Sequence, residues 1–193
     1  MTTNVENKND LNITAMPTPN PNTVMFTIDH QFFNAGSLEF SKKEEAQSSE
    51  LPKQLFEIEG VSGVMIGTNF ISVSKIEDAD WEAIFEQTIA IIKATVGTIE
   101  EVIDPELLAT MDEVNEEDSE SVQKIKKILD EEIRPAIAMD GGDCQFHSFQ
   151  DGVLTLKLQG ACSTCPASVM TLKMGIENRL KEEVSDLKEV IQL

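Results

Sequence analysis

The pattern of apolar and polar residues over 23 to 28 alternates as in a strand, and the apolar-rich segments Val61 to Gly67 and Phe70 to Ile76 read as two more strands joined by a tight turn at Thr68-Asn69. The period then lengthens. Trp81, Ile84, Phe85, Thr88 and Ile92 fall on one side of a helix expected from about Trp81 to Val96, with Asp78 or Asp80 as its cap and Trp81 as a core anchor. Earlier in the chain, Lys42 to Phe56 reads as one or two helical turns broken by Pro52. In the second half the helical period comes first. Val122, Ile125, Ile128, Leu129 and Ile133 mark a helix ending near Pro135. Strands are expected around Cys144 to Phe149 and Val153 to Gln159, with Asp151-Gly152 as a hairpin turn. Leu154, Leu156 and Leu158 should face a core while Thr155, Lys157 and Gln159 face away, as in a sheet covered on one side. A long helix from Pro166 carries Val169, Leu172, Ile176 and Leu180, and Lys188 to Leu193 could add a last strand.

These elements predict an α+β chain of two small two-layer α/β domains joined by an acidic linker. The expected boundaries are a disordered tail over 1–15, a first domain over 16–96, the linker over 97–119 and a second domain over 120–193. Charge places the linker. Residues 96 to 120 carry ten acidic groups and no basic one, whereas residues 121 to 193 carry eleven acidic and nine basic groups. Such a segment repels itself and is expected to be a solvated spacer, although Val102, Ile103, Leu107, Leu108 and Met111 could form a short docking helix. A net charge of −20 argues against binding nucleic acid, whose affinity depends on lysine and arginine displacing counterions. No apolar run reaches the ~20 residues needed to span a bilayer, so no membrane partner is expected. Met1 to Lys8 resembles neither a secretory signal nor a transit peptide, which leads to the expectation of a cytoplasmic protein.

Candidate chemistry is concentrated in Cys162-Ser163-Thr164-Cys165-Pro166, where two thiols stand two residues apart at a strand-to-helix junction. Proline suits a first helical turn, and the helix's positive end favours thiolate over thiol. Structural zinc and iron-sulfur clusters both take four protein ligands. The chain's other soft or imidazole ligands are Cys144, His30 and His147, so one chain is poorly supplied for a complete site. Two copies about a two-fold axis would supply two sulfurs each, and a loop at such a strand-to-helix junction is expected to be exposed enough to meet the second copy. Three readings stay open on spacing alone: packed small side chains, a dithiol redox pair, or a metal or cluster site. Cys144 alternates with Phe146 and reads as an inward-facing core residue. His30 reads as a surface or locally bonded histidine. There is no Gly-rich phosphate loop, paired-histidine motif or nucleophile elbow, so no catalytic residue is assigned.

The stretch Leu158 to Leu180 resembles the signature of the NifU C-terminal domain of Nfu-type iron-sulfur cluster scaffold and carrier proteins. Ile133-Arg134-Pro135-Ala136-Ile137 and Asp140-Gly141-Gly142-Asp143 are similar to the other characteristic part of that domain. Thr18 to Thr23, Gly36-Ser37, Leu55 to Val61, Asn69 to Val73 and Asp80-Trp81 resemble the Nfu N-terminal domain in order and spacing. The resemblance implies a non-enzymatic carrier in which Cys162 and Cys165 of two protomers bridge one 4Fe-4S cluster. It further implies a homodimer formed through that cluster, apo iron-sulfur proteins as clients, and upstream assembly proteins as the source. Cys144 occupies a position where the family pattern does not require cysteine. The alternatives are a thiol-disulfide protein using the same pair and an acidic adaptor with a zinc-stabilised dimer.

Overall fold

A computed structural model describes residues 11–34, 36–96, 102–108, 118–163 and 166–193, with the backbone alone at 108 and 166–171, and folds the chain around two sheets, each with its own core. The α+β expectation holds. The first sheet is antiparallel throughout, in the order β1-β2-β5-β4-β3, from β1 (Ile13–Pro17), β2 (Thr23–Ile28), β3 (Leu38–Phe40), β4 (Val61–Ile66) and β5 (Phe70–Lys75). Because side chains alternate between faces, its register sorts them into rows. Phe26, Ile71, Ile66 and Leu38 are partners across four strands, as are Val24, Val73, Val64 and Phe40. These rows form the core face. Helices α1 (Glu50–Leu55) and α2 (Trp81–Val96) cover it, burying Leu51, Leu55, Ile84 and Ile92 completely.

The intervening row has a different composition: Met16, Met25, Ser72, Met65 and Glu39 are partners in turn across all five strands. A solvated face would make these positions exposed. Met25, Ser72 and Met65 are instead buried, because the second domain lies over them.

The local departures from the sequence reading have physical causes. β1 starts at Ile13, inside the segment expected to be a tail, since Ile13 finds Ile28 as its partner on β2. Pro52 does not break the helix predicted around it. It stands in the first turn of α1, where an N–H would have no intrahelical partner. Val102 and Ile103 are not solvated: they pack into the first core, and the Val102 carbonyl accepts from Leu51 N at 3.2 Å. A short helix α3 (Pro105–Leu108) follows, while Met111 lies outside the described residues.

The second sheet runs β6-β7-β8, with β6 (Gly142–Gln150) antiparallel and β8 (Glu189–Gln192) parallel to β7 (Val153–Gly160). Asp151 and Gly152 form the hairpin turn at φ 53° and 83°, the left-handed pair that a two-residue hairpin demands. Leu154, Leu156 and Leu158 point into a core with Ile125 and Leu129 of the preceding helical segment and Ile176 and Leu180 of α6 (Pro166–Lys181). The preceding segment runs through Pro135 rather than ending there. It comprises α4 (Glu120–Ile128), one wider π turn over Leu129–Ile133, and α5 (Arg134–Ala138). The π turn, with Arg134 N bonding to Leu129 O, loosens the backbone just where the proline ring would crowd a regular helix. Among the described residues no helix is long and apolar enough to cross a membrane.

Candidate functional site

β7 ends at Gly160, and the chain turns sharply through Ala161, Cys162 and Ser163 before α6 begins at Pro166. Ala161 N donates to Gly141 O at 3.1 Å, Cys162 N to Gln159 O at 3.3 Å, and Ser163 N to Gly160 O at 3.2 Å. Gly160 has φ 61°, and a Cβ there would stand 2.6 Å from Gly141 O and 2.7 Å from the Met65 thioether. Only glycine satisfies both the conformation and the space. Gly142 is required for a different reason: a Cβ on it would run into Cys162 Sγ. The Asp140-Gly141-Gly142-Asp143 turn thus makes the slot in which the Cys162 sulfur lies.

Cys162 is only 6% exposed, contrary to the expectation of an open loop. The surroundings explain this. Its sulfur packs on Gly142 within the second core, and the strand end leading to it lies under the first sheet. Glu39 Oε1 accepts from Gly160 N at 2.8 Å, Asn20 Nδ2 donates to Ala161 O at 3.2 Å, and Ser72 Oγ donates to Gly141 O at 2.6 Å. Burial raises the pKa of the Glu39 carboxyl above its ordinary value, an effect offset in part by the Gly160 N–H. Gln159, expected to face solvent, is buried for the same reason, with its Oε1 2.9 Å from Ser37 Oγ.

Cys165 falls outside the described residues, so the structure places one of the two cysteines predicted as ligands and not the other. Cys144 is fully buried in the second core, as the strand pattern predicts. Burial pushes its thiol far above the ordinary value, and the neighbouring Asp143 charge adds to this. Thiolate chemistry is therefore disfavoured there. The charge of Asp143 is balanced by Arg134, whose Nε and Nη2 donate to its two oxygens at 2.9 and 2.8 Å. Burial alone would lower the Arg134 pKa, but the hydrogen bonds and charge of Asp143 hold it above the ordinary value. Trp81 is a core anchor with a polar tie, its Nε1 donating to Pro21 O at 3.1 Å. His30 is exposed and stacks edge-on against Phe32, 5.0 Å away.

The sequence reading did not single out Asn20, Glu39, Met65 or Ser72 as neighbours of the cysteine turn. A signal was available: the strands of the first sheet place methionines where a solvated face would carry charged or polar residues.

Comparison with known proteins agrees with the division into two folded parts. Residues 13–98 match the family model described as scaffold protein Nfu/NifU N terminal, and residues 125–191 match the NifU-like domain. The chain is similar to NifU-like protein 5, mitochondrial, of Arabidopsis thaliana, with 36% identity over 97% of this chain and 70% of that protein. It is also similar to the NFU1 iron-sulfur cluster scaffold homolog, mitochondrial, of Drosophila sechellia, with 37% identity over 94% of this chain and 64% of that protein. NifU-like protein 4, mitochondrial, of Arabidopsis thaliana is 37% identical over 93% of this chain and 65% of its own length. The mitochondrial names of these relatives overturn the cytoplasmic expectation and point to mitochondria instead. That expectation rested on the first eight residues, a poor guide when the relatives extend well beyond the matched length.

Proposed function

Because the chain belongs to the Nfu family of NifU-like proteins, we propose that it is a non-enzymatic iron-sulfur cluster scaffold and carrier. Its cargo is a 4Fe-4S cluster held through Cys162 and Cys165 of two copies of the chain. One observation carries the reading: Cys162 stands in the turn between β7 and α6, within a C-x-x-C spacing, inside the segment matched by the NifU-like domain. The name of the Drosophila relative as a cluster scaffold supports the same role. A 4Fe-4S cluster takes four thiolates and one chain offers two in this motif, so a two-fold pair completes the set. Each chain supplies only two of the four sulfurs, so no single chain encloses the cluster. An incoming client thiolate can therefore replace one donor sulfur at a time, which is what delivery to an apo-protein requires. Upstream assembly proteins would load the pair by the reverse exchange.

Anaerobic reconstitution tests this reading. About two iron and two sulfide per chain are expected, with broad visible absorption from sulfur-to-iron charge transfer. Cys162→Ser and Cys165→Ser should each abolish stable cluster binding, and Cys144→Ser should keep it. Four iron per chain would reject bridging, and zinc without sulfide would favour the adaptor. Loaded protein should activate an apo 4Fe-4S enzyme with a chelator present. If the chelator stops activation, the iron travels through solution and the protein is not a carrier.

A further inference from the structure

We infer that the Met16–Met25–Ser72–Met65–Glu39 row of the first sheet is a docking surface for the chain's own cysteine turn, and that its release is the step that admits a second copy to the cluster site. The inference rests on the cluster-bridging reading above. Three observations carry it.

The first is what the row holds. Ser72 and Glu39 each make a hydrogen bond to the backbone of the second domain, at Gly141 O and Gly160 N, and Asn20 adds a third at Ala161 O. All three bonds fall within two residues of Cys162 or on the carbonyl that anchors Ala161. The Met65 thioether lies against the Cα of Gly160. The contact is therefore aimed at the turn carrying the cysteine.

The second is how the seam is built. Its apolar part is small, with Met25, Met65 and Phe70 packed against Ala138, and most of the remainder is hydrogen bonds that water can replace. Beside it an unfilled cleft of about 570 Å³ separates Met16 and Phe70 of one domain from Pro135 and Met139 of the other. Methionine side chains adapt to a partner and also tolerate its departure. A permanent interface would be filled and more apolar.

The third is geometric incompatibility. A bridged cluster needs the Cys162 sulfur of each copy in the gap between two chains, whereas here that sulfur is inside and the strand end leading to it is beneath the first sheet. The covered monomer and the bridged pair are alternative states of one chain. Each domain has its own core, so one state can give way to the other without unfolding either.

The full-length chain tests this without any client. Small-angle scattering of the cluster-free wild type should give a radius of gyration near that of one compact body of this length, about 16 Å. Met65→Glu puts a charge that an open sheet face tolerates but a covered one does not, so the radius should rise while Trp81 fluorescence still reports a folded first domain. Ser72→Ala removes one hydrogen bond and should speed exchange of the Gly160 amide about fivefold to tenfold. Both variants should take up cluster faster than wild type. A cluster-free wild type that already scatters as two separated bodies overturns the inference, as does loaded protein that keeps slow Gly160 exchange. If no variant binds iron and sulfide, the carrier reading fails, while the cluster-free scattering still decides whether the cover exists.

Discussion

The two sheets solve the same burial problem in opposite ways. In the second, alternate residues of β7 serve one core, with Leu154, Leu156 and Leu158 inside and Lys157 exposed. In the first, all four residues from Phe70 to Val73 of β5 are buried, since helices cover one face and the other domain covers part of the second. The first sheet thus offers a broad, cysteine-free platform, and the second a thin scaffold whose last strand residues become the site. Polar groups join the two. Asn20, Ser37 and Ser72 are buried where the domains meet, and Asp143, tied to Arg134 within its own domain, also accepts from Ser37 Oγ across the seam. Each domain is expected to keep its own core, and a seam of hydrogen bonds couples the two.

Shortening a leucine in the thinner domain should strain this comparison most. Leu156 is 1% exposed at the centre of the second core, and Leu156→Ala is expected to cost about 2–5 kcal/mol. The chain's single tryptophan, Trp81, belongs to the first domain, so its fluorescence follows that domain alone. Urea unfolding should show loss of far-ultraviolet circular dichroism from the second domain at lower denaturant, with the tryptophan transition moving less than half as far. One coincident transition by both probes would mean the domains are not independent cores.

A glycine in each sheet makes a finer test. Gly142→Ala drives a methyl group into Cys162 Sγ and should cost about 1–3 kcal/mol while lowering cluster occupancy after reconstitution. Gly63→Ala on β4 meets only ordinary contacts, the nearest being Ser74 Cβ at 3.6 Å, and should change stability by no more than about 0.5 kcal/mol. Equal effects of the two would show that the slot around the sulfur is not tightly filled.

Much of this comparison was legible in the sequence, because period and punctuation determine each element locally. The Asp151-Gly152 turn, the leucine alternation of β7 and the helix from Trp81 to Val96 all fall where the pattern puts them. Cys144 was legible too, since its place in the alternation set its face. What the pattern could not carry was any choice made between domains. Gln159 alternates as a solvated residue and is buried by Ser37, more than a hundred residues away. Cys162 was expected in an open turn and is enclosed by a glycine slot and the approach of another domain's sheet. β3 escaped notice because three residues are too few to show a period. Pro52 and Pro135 misled for one reason: a proline ends a regular helix, but it is tolerated in a first turn or beside a π turn.

The smallest effects should come from the helix caps, and they separate the domains most cleanly because they touch neither core nor seam. Asp80 Oδ1 accepts from Glu82 N at 3.0 Å at the start of α2, and Ser119 Oγ accepts from Val122 N at 3.3 Å at the start of α4. Both side chains satisfy a backbone donor that has no partner within its helix. Removing either should cost about 1 kcal/mol, with Ser119→Ala at the lower end because its bond is longer. Asp80→Ala should shift the Trp81 transition and leave the second domain's dichroism transition in place. Ser119→Ala should do the reverse. If each variant instead moves both transitions by the same amount, the seam transmits stability as strongly as a shared core would, and the picture of two separable units must be given up.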